Sequence, residues 1–129
     1  MAKIFPSRTA RIILLAMIGV FALLRLILHS FPSANLELGP YNIHHLFVGI
    51  ILVIGAGTPL ILRLPRGLTR WFLAATYGTG LALILDEWVY LIVTEGTDSD
   101  YLLAESVYGA VFFIAVVTLY VAVLAYRKR

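Results

Sequence analysis

Residues 71–93 read WFLAATYGTGLALILDEWVYLIV, an apolar run that carries two adjacent acids, Asp86 and Glu87, in its second half. Its length matches the roughly 20 residues that an α-helix needs to cross the hydrocarbon core of a bilayer. Every backbone N–H and C=O must be satisfied within the segment there, which predicts a helix rather than a strand. Because a charged side chain inside such a helix is costly, the acidic pair is the most informative feature of the chain.

The rest of the chain has the same apolar character. Of its 129 residues, 61% are apolar or aromatic and 13% are charged, and the mean hydropathy is +0.96. A soluble domain has about 45–50% apolar and about 25% charged residues, and one of this size could not bury so much apolar surface. The composition therefore excludes a soluble globular domain, a disordered chain and a basic nucleic-acid-binding domain. The absence of cysteine excludes disulfides, iron–sulfur clusters and thiolate metal sites.

Charged residues divide the chain into four apolar spans. We therefore predict a single all-α membrane domain over residues 1–129, a four-transmembrane-helix bundle with antiparallel, up-down topology. Arg25 interrupts the first apolar run, which favours a retained span over a cleaved signal peptide. The predicted helices cover about residues 12–29, 44–62, 71–93 and 102–126.

Basic residues are distributed unevenly about these spans. Nine of the ten Lys and Arg residues fall on one side, and the loops at residues 30–43 and 95–101 contain none. The positive-inside rule then places both termini in the cytoplasm and predicts a multi-pass protein of the cytoplasmic membrane. The basic side comprises Lys3, Arg8, Arg11, Arg63, Arg66, Arg70, Arg127, Lys128 and Arg129, and the opposite loops carry Glu37, Glu95, Asp98 and Asp100.

Ionisable residues inside the spans fall at one depth. With a rise of about 1.5 Å per residue, Arg25 stands about 21 Å above the basic side, and Asp86 and Glu87 stand about 24–26 Å above it. His44 and His45 begin the second span at about 27–29 Å. His29, at the end of the first span, and Glu105, near the start of the fourth, lie at similar or slightly greater height. All four helices thus bring polar groups to the outer third of a membrane about 30 Å thick, which predicts one shared site.

Imidazole and carboxylate groups are suitable ligands for Zn or Fe. We expect a divalent metal ion, Zn or Fe, to be bound by His44, His45, Asp86 and Glu87, and a spare carboxylate would allow hydrolytic chemistry. Further candidates near this site are Glu105 as an extra ligand, Arg25 as a charge-balancing partner, and His29, Ser106 and Tyr90.

Other interpretations of the same residues stay open. In one alternative, Arg25 forms a buried ion pair with Asp86 or Glu87, and this pair only fixes the register of the helices. In another, the cluster handles protons or ions. In a third, haem is held by His29 and one of His44 or His45. Glu105 is favoured in the first turn of a helix by the helix dipole alone. The expected partners are the lipid bilayer and, as an alternative to a monomer, further copies of the chain.

The sequence also resembles a group of small prokaryotic integral membrane proteins of uncharacterised function. The resemblance covers roughly residues 43–115. It implies that the histidine pair and the acidic pair are the residues of interest, and it implies no reaction. The matching features are Ile43-His44-His45-Leu46-Phe47 with Gly49, Tyr77-Gly78-Thr79-Gly80, Leu85-Asp86-Glu87-Trp88, and Ser106-Val107.

Overall fold

The computed structural model describes residues 7–34, 36–64 and 66–127, and within them the chain is helical apart from its connections. A two-stranded hairpin lies between the first two helices, and a 3₁₀ turn precedes the last one. The elements are α1 (Arg8–Ser30), β1 (Glu37–Leu38), β2 (Tyr41–Asn42), α2 (His45–Ile61), α3 (Gly67–Val93), the 3₁₀ turn (Asp100–Leu102) and α4 (Ala104–Arg127).

The four predicted helices are confirmed, with small differences at their ends. The first helix begins at Arg8, because the Ser7 hydroxyl accepts a hydrogen bond from the Ala10 N–H at 3.3 Å and caps it. The helices α1, α3 and α4 are long and apolar enough to cross a membrane, whereas α2 has 17 residues and is shorter. Of the residues used in the charge argument, Lys3, Lys128 and Arg129 lie outside the described part of the chain.

The third helix is the central element of the bundle. It packs against α1, α2 and α4, whereas α2 packs almost only on α3 and scarcely touches α1 in the described residues. A small core of Met17, Ala82, Leu85 and Ile114 joins α1, α3 and α4. The second and third helices therefore form a closely packed pair, whereas α1 and α2 scarcely contact each other in the described residues.

Glycines allow α3 to approach its neighbours closely. A methyl group added at Gly49 would lie 2.7 Å from the carbonyl oxygen of Gly80, and one added at Gly80 would lie 2.8 Å from that of Gly49. The backbones of α2 and α3 therefore meet at this pair, as small residues permit in membrane helices. Gly78 meets the carbonyl oxygen of Ile13 in α1 in the same way.

The hairpin between α1 and α2 was not among the predicted elements. Glu37 pairs with Asn42 and Leu38 with Tyr41, and Gly39 between them has a φ of +61°, which glycine adopts without strain. Ile43 donates its N–H to the Leu36 carbonyl at 2.7 Å. This hairpin leads the chain directly to the histidine pair that opens α2.

Candidate functional site

Asp86 is the centre of a buried polar cluster. Its side chain is fully buried, yet both of its carboxylate oxygens have donors. Oδ1 accepts from Arg25 Nε at 2.5 Å, and Oδ2 contacts His45 Nε2 at 2.9 Å and accepts from the Tyr101 hydroxyl. One carboxylate thus joins α1, α2, α3 and the 3₁₀ turn. We call the end of the bundle that contains it the polar end.

Arg25 directs its whole guanidinium group into the same cluster. Its terminal nitrogens donate to the Tyr101 carbonyl at 3.1 Å, the Asp86 carbonyl at 3.0 Å and the Ser106 hydroxyl at 3.3 Å. The guanidinium carbon also lies 4.2 Å from the centre of the Tyr101 ring. A charged side chain in an apolar bundle requires such compensation. The charge-balancing role expected for Arg25 is therefore matched by its contacts.

Glu87 is bonded to the beginning of α2. Its Oε2 accepts from the Leu46 backbone N–H at 2.8 Å, and its Oε1 lies 3.1 Å from His44 Nδ1 and 3.4 Å from His45 Nδ1. The first N–H groups of a helix have no partner within the helix and carry a partial positive charge. Glu87, which is 4% exposed, therefore accepts a hydrogen bond from one of the free N–H groups in the first turn of α2 while contacting both imidazoles.

Local geometry explains why two adjacent acids take different partners. Successive helical residues point about 100° apart, so Asp86 turns toward α1 and the 3₁₀ turn while Glu87 turns toward the first turn of α2. The close contact of Gly49 with Gly80 determines the register of α2 against α3. It places His45, one turn before Gly49, beside the acids two turns after Gly80.

Tyr101 is the residue that sequence reasoning missed. It is not among the site residues predicted from the sequence, but it is 6% exposed and bonded to Asp86. Burial raises the pKa of the Tyr101 phenol above its ordinary value, and the Asp86 carboxylate raises the pKa further. The phenol therefore remains a hydrogen-bond donor. The sequence contains one hint, since Tyr101 immediately precedes the last predicted span, at the end of the bundle where the acidic pair is expected.

The remaining candidates lie in different surroundings. Ser106 is fully buried and bonded to Arg25, and Tyr90 is 3% exposed with its hydroxyl donating to the Thr97 carbonyl at 2.9 Å. Glu105 is exposed in the first turn of α4, as the helix-dipole interpretation expects. His29 is exposed and lines a separate groove between α1 and α4. It does not share a pocket with the other two histidines.

The cluster forms one wall of a pocket at the polar end. The pocket has a volume of about 270 Å³. It is bounded by α1, by the connection from α1 to α2, by the beginning of α2 and by the end of α3. The polar side chains that line it are Asn42, His44, His45, Glu87, Tyr90, Asp98 and Tyr101.

The arrangement is a hydrogen-bonded network of opposite charges. Each of the four oxygens of Asp86 and Glu87 faces at least one nitrogen or hydroxyl partner. In the described part of the chain, no three His, Cys, Asp or Glu side chains form a ready metal-binding group. The structure brings together the four residues expected as ligands, and whether they bind a metal ion stays a prediction.

No family model matches the chain, and no significant match was found among curated proteins or solved structures. The family resemblance suggested by the histidine and acidic pairs therefore stays a prediction.

Proposed function

We propose that this chain is a small four-span protein of the cytoplasmic membrane that binds a divalent metal ion, Zn or Fe, at its polar end. The basic residues of the opposite end would face the cytoplasm and the polar pocket would open outward. The shorter helix α2 spans with the help of its flanking residues, since local thinning of the bilayer accommodates a short apolar helix at modest cost.

One observation carries the metal proposal. A single carboxylate oxygen, Glu87 Oε1, has two imidazole nitrogens beside it, His44 Nδ1 at 3.1 Å and His45 Nδ1 at 3.4 Å. Two ligands held about 2.0–2.1 Å from one tetrahedral zinc ion lie about 3.3 Å apart. Both oxygen–nitrogen distances therefore suit pairs of ligands on one ion, and a metal ion there would take the place of the hydrogen bonds between these groups.

The remaining contacts support a division of roles in the cluster. Metal-binding histidines usually use their second ring nitrogen to bond a carboxylate, which orients the ring. Asp86 contacts Nε2 of His45 at 2.9 Å and so leaves Nδ1 of that ring toward Glu87. We therefore assign His44, His45 and Glu87 as ligands and Asp86 as the group that orients His45. A divalent ion there would supply Lewis-acid chemistry, the basis of the hydrolytic activity expected from the sequence.

Metal analysis of the purified protein tests this assignment. The protein is prepared without a histidine tag, loaded with Zn²⁺ or Fe²⁺, passed through a desalting column and analysed by elemental mass spectrometry. We expect stoichiometric metal in the wild type and its loss in Glu87→Gln and in His45→Ala. The matched control is His29→Ala, which removes a histidine outside the pocket and should retain the metal.

A structural role is favoured by a different observation, the complete pairing of both carboxylates. In that case the cluster only holds helices together. Wild-type protein that binds neither metal after loading, with a lower melting temperature in Glu87→Gln, would establish this second function and refute the first. Metal that is retained in both Glu87→Gln and His45→Ala would refute the ligand assignment.

A further inference from the structure

The pocket at the polar end is small, and part of its lining is apolar. Its volume of about 270 Å³ lies just below the range of about 300–1,000 Å³ typical of sites that enclose whole small molecules. Three of its residues, Leu24, Ile27 and Leu28, form an apolar wall on α1 opposite the polar groups. A ligand that fits would place a small polar group inside and extend beyond the pocket.

The pocket opens toward exposed apolar side chains on α1 and on the connection to α2. The helices α1 and α2 both line it, yet they scarcely pack against each other in the described residues. Ile27 and Leu36, which belong to the pocket lining, are 43% and 57% exposed. The part of a ligand that leaves the pocket between α1 and α2 therefore meets side chains that favour a hydrocarbon chain.

The polar wall is suited to a neutral group. No Lys or Arg of the described residues lines the pocket, which disfavours an anionic ligand. The oxygens of Glu87 bond the beginning of α2 and both imidazoles, and Asp98 has a partner of its own, so a ligand would meet acids that already take part in contacts within the protein. The hydroxyl hydrogens of Tyr90 and Tyr101 are donated inside the protein. What the wall offers a ligand is hydrogen-bond acceptors, and a hydroxyl group is a neutral donor that matches them.

We infer that the pocket binds the hydroxyl headgroup of a neutral, single-chain amphiphile that enters from the bilayer between α1 and α2. The inference rests on the proposed membrane insertion and does not require the metal ion. The headgroup hydrogen-bonds to the wall formed by Asn42 and Tyr90, and the alkyl chain lies along Leu24 and Ile27.

Photolabelling in nanodiscs tests the inference. The full-length protein is reconstituted and labelled with a dodecyl glyceryl ether that carries a diazirine in its alkyl chain, and the labelled peptides are identified by mass spectrometry. We expect the label on the segment of α1 around Leu24 and Ile27. Unlabelled dodecyl glyceryl ether should compete with it, whereas dodecanoate and dodecyltrimethylammonium, which have the same chain length and charged headgroups, should compete at least about tenfold less well.

A pair of variants separates the pocket from general lipid contact. Ile27→Trp fills the mouth of the pocket and should reduce labelling by about tenfold. Leu23→Trp is the matched control, because Leu23 lies one turn away on the same helix, is 53% exposed and does not line the pocket. Equal labelling of the two variants, or stronger competition by either charged amphiphile, would overturn the inference. Metal content measured in the same samples reports separately on the metal proposal.

Discussion

The two ends of this helical bundle are held in different ways. At the polar end, the buried Asp86 and the partly buried Arg25 are each bonded to three other elements. At the opposite end, which we call the basic end, every described basic residue is exposed. One contact between helices there is that of the Arg8 guanidinium carbon, which lies 3.6 Å from the centre of the Trp71 ring. The exposed residues of the basic end are Arg8, Arg11, Arg63, Arg66, Arg70 and Arg127.

This difference shows where the chain holds charge in a fixed position. Exposed cations keep their hydration and contribute little to stability, whereas charges inside the bundle need partners with defined geometry. The charged groups of the polar end are therefore held by defined contacts, whereas the basic end exposes its cations. Four substitutions, taken from the largest expected effect to the smallest, test this contrast.

The largest effect is expected from Asp86→Ala. It leaves the Arg25 guanidinium in the bundle without its carboxylate, and breaking a buried pair in this way costs about 3–5 kcal/mol. Denaturant unfolding in detergent micelles measures the loss of unfolding free energy. The double variant Arg25→Met with Asp86→Leu should recover much of it, since an apolar pair needs no compensation. An Asp86→Ala variant as stable as the wild type would show that the polar end is held no more firmly than the basic end.

Gly49→Ala should have the next largest effect, because its methyl group would lie 2.7 Å from the Gly80 carbonyl oxygen. Overpacking of this kind costs about 1–3 kcal/mol. The melting temperature should fall, and the separation of α2 from α3 should also weaken the metal binding that we propose at the polar end. Gly55→Ala is the control on the same helix, since a methyl group at Gly55 has nothing within 4 Å. Equal effects of the two substitutions would contradict the close contact of the backbones.

Tyr101→Phe removes one hydrogen bond to the Asp86 carboxylate, which keeps Arg25 and His45 as partners, and should cost about 1.5 kcal/mol. Its pH dependence is more informative. Because the pKa of Tyr101 is raised in the folded protein, the folded state keeps a proton that the unfolded state releases above about pH 10. Wild-type stability should therefore decline as the pH rises above about 10. Tyr101→Phe should reduce this decline, and an unchanged pH profile would argue against a buried phenol.

The smallest effect is expected at the basic end. Arg8→Gln removes the cation above Trp71, a contact worth about 0.5–1 kcal/mol when it is exposed. The melting temperature should change less than in any variant of the polar end. Raising the salt concentration should have little effect on the difference in melting temperature between the wild type and Arg8→Gln. A loss as large as that of Asp86→Ala would show that both ends are held equally firmly.

Much of the fold followed from particular residues. Apolar runs separated by charged residues predicted the four helices, and the depth of Arg25, His45 and Asp86 along their helices predicted that these side chains share one level. Tyr101 could not be assigned in this way, because its place depends on the path of the connection before α4. The hairpin between α1 and α2 is set by two short pairs of residues, whose pattern is too brief to predict a strand.

The sequence by itself determined the helices, the uneven distribution of charge and the set of polar residues near one end. These properties depend on local composition and on the fixed rise of an α-helix. Only the tertiary structure decided which atoms meet: that Glu87 caps α2, that Asp86 is shared by Arg25, His45 and Tyr101, and that α1 and α2 stay apart. Such contacts depend on the rotation and closest approach of each helix, which α3 sets through its glycines.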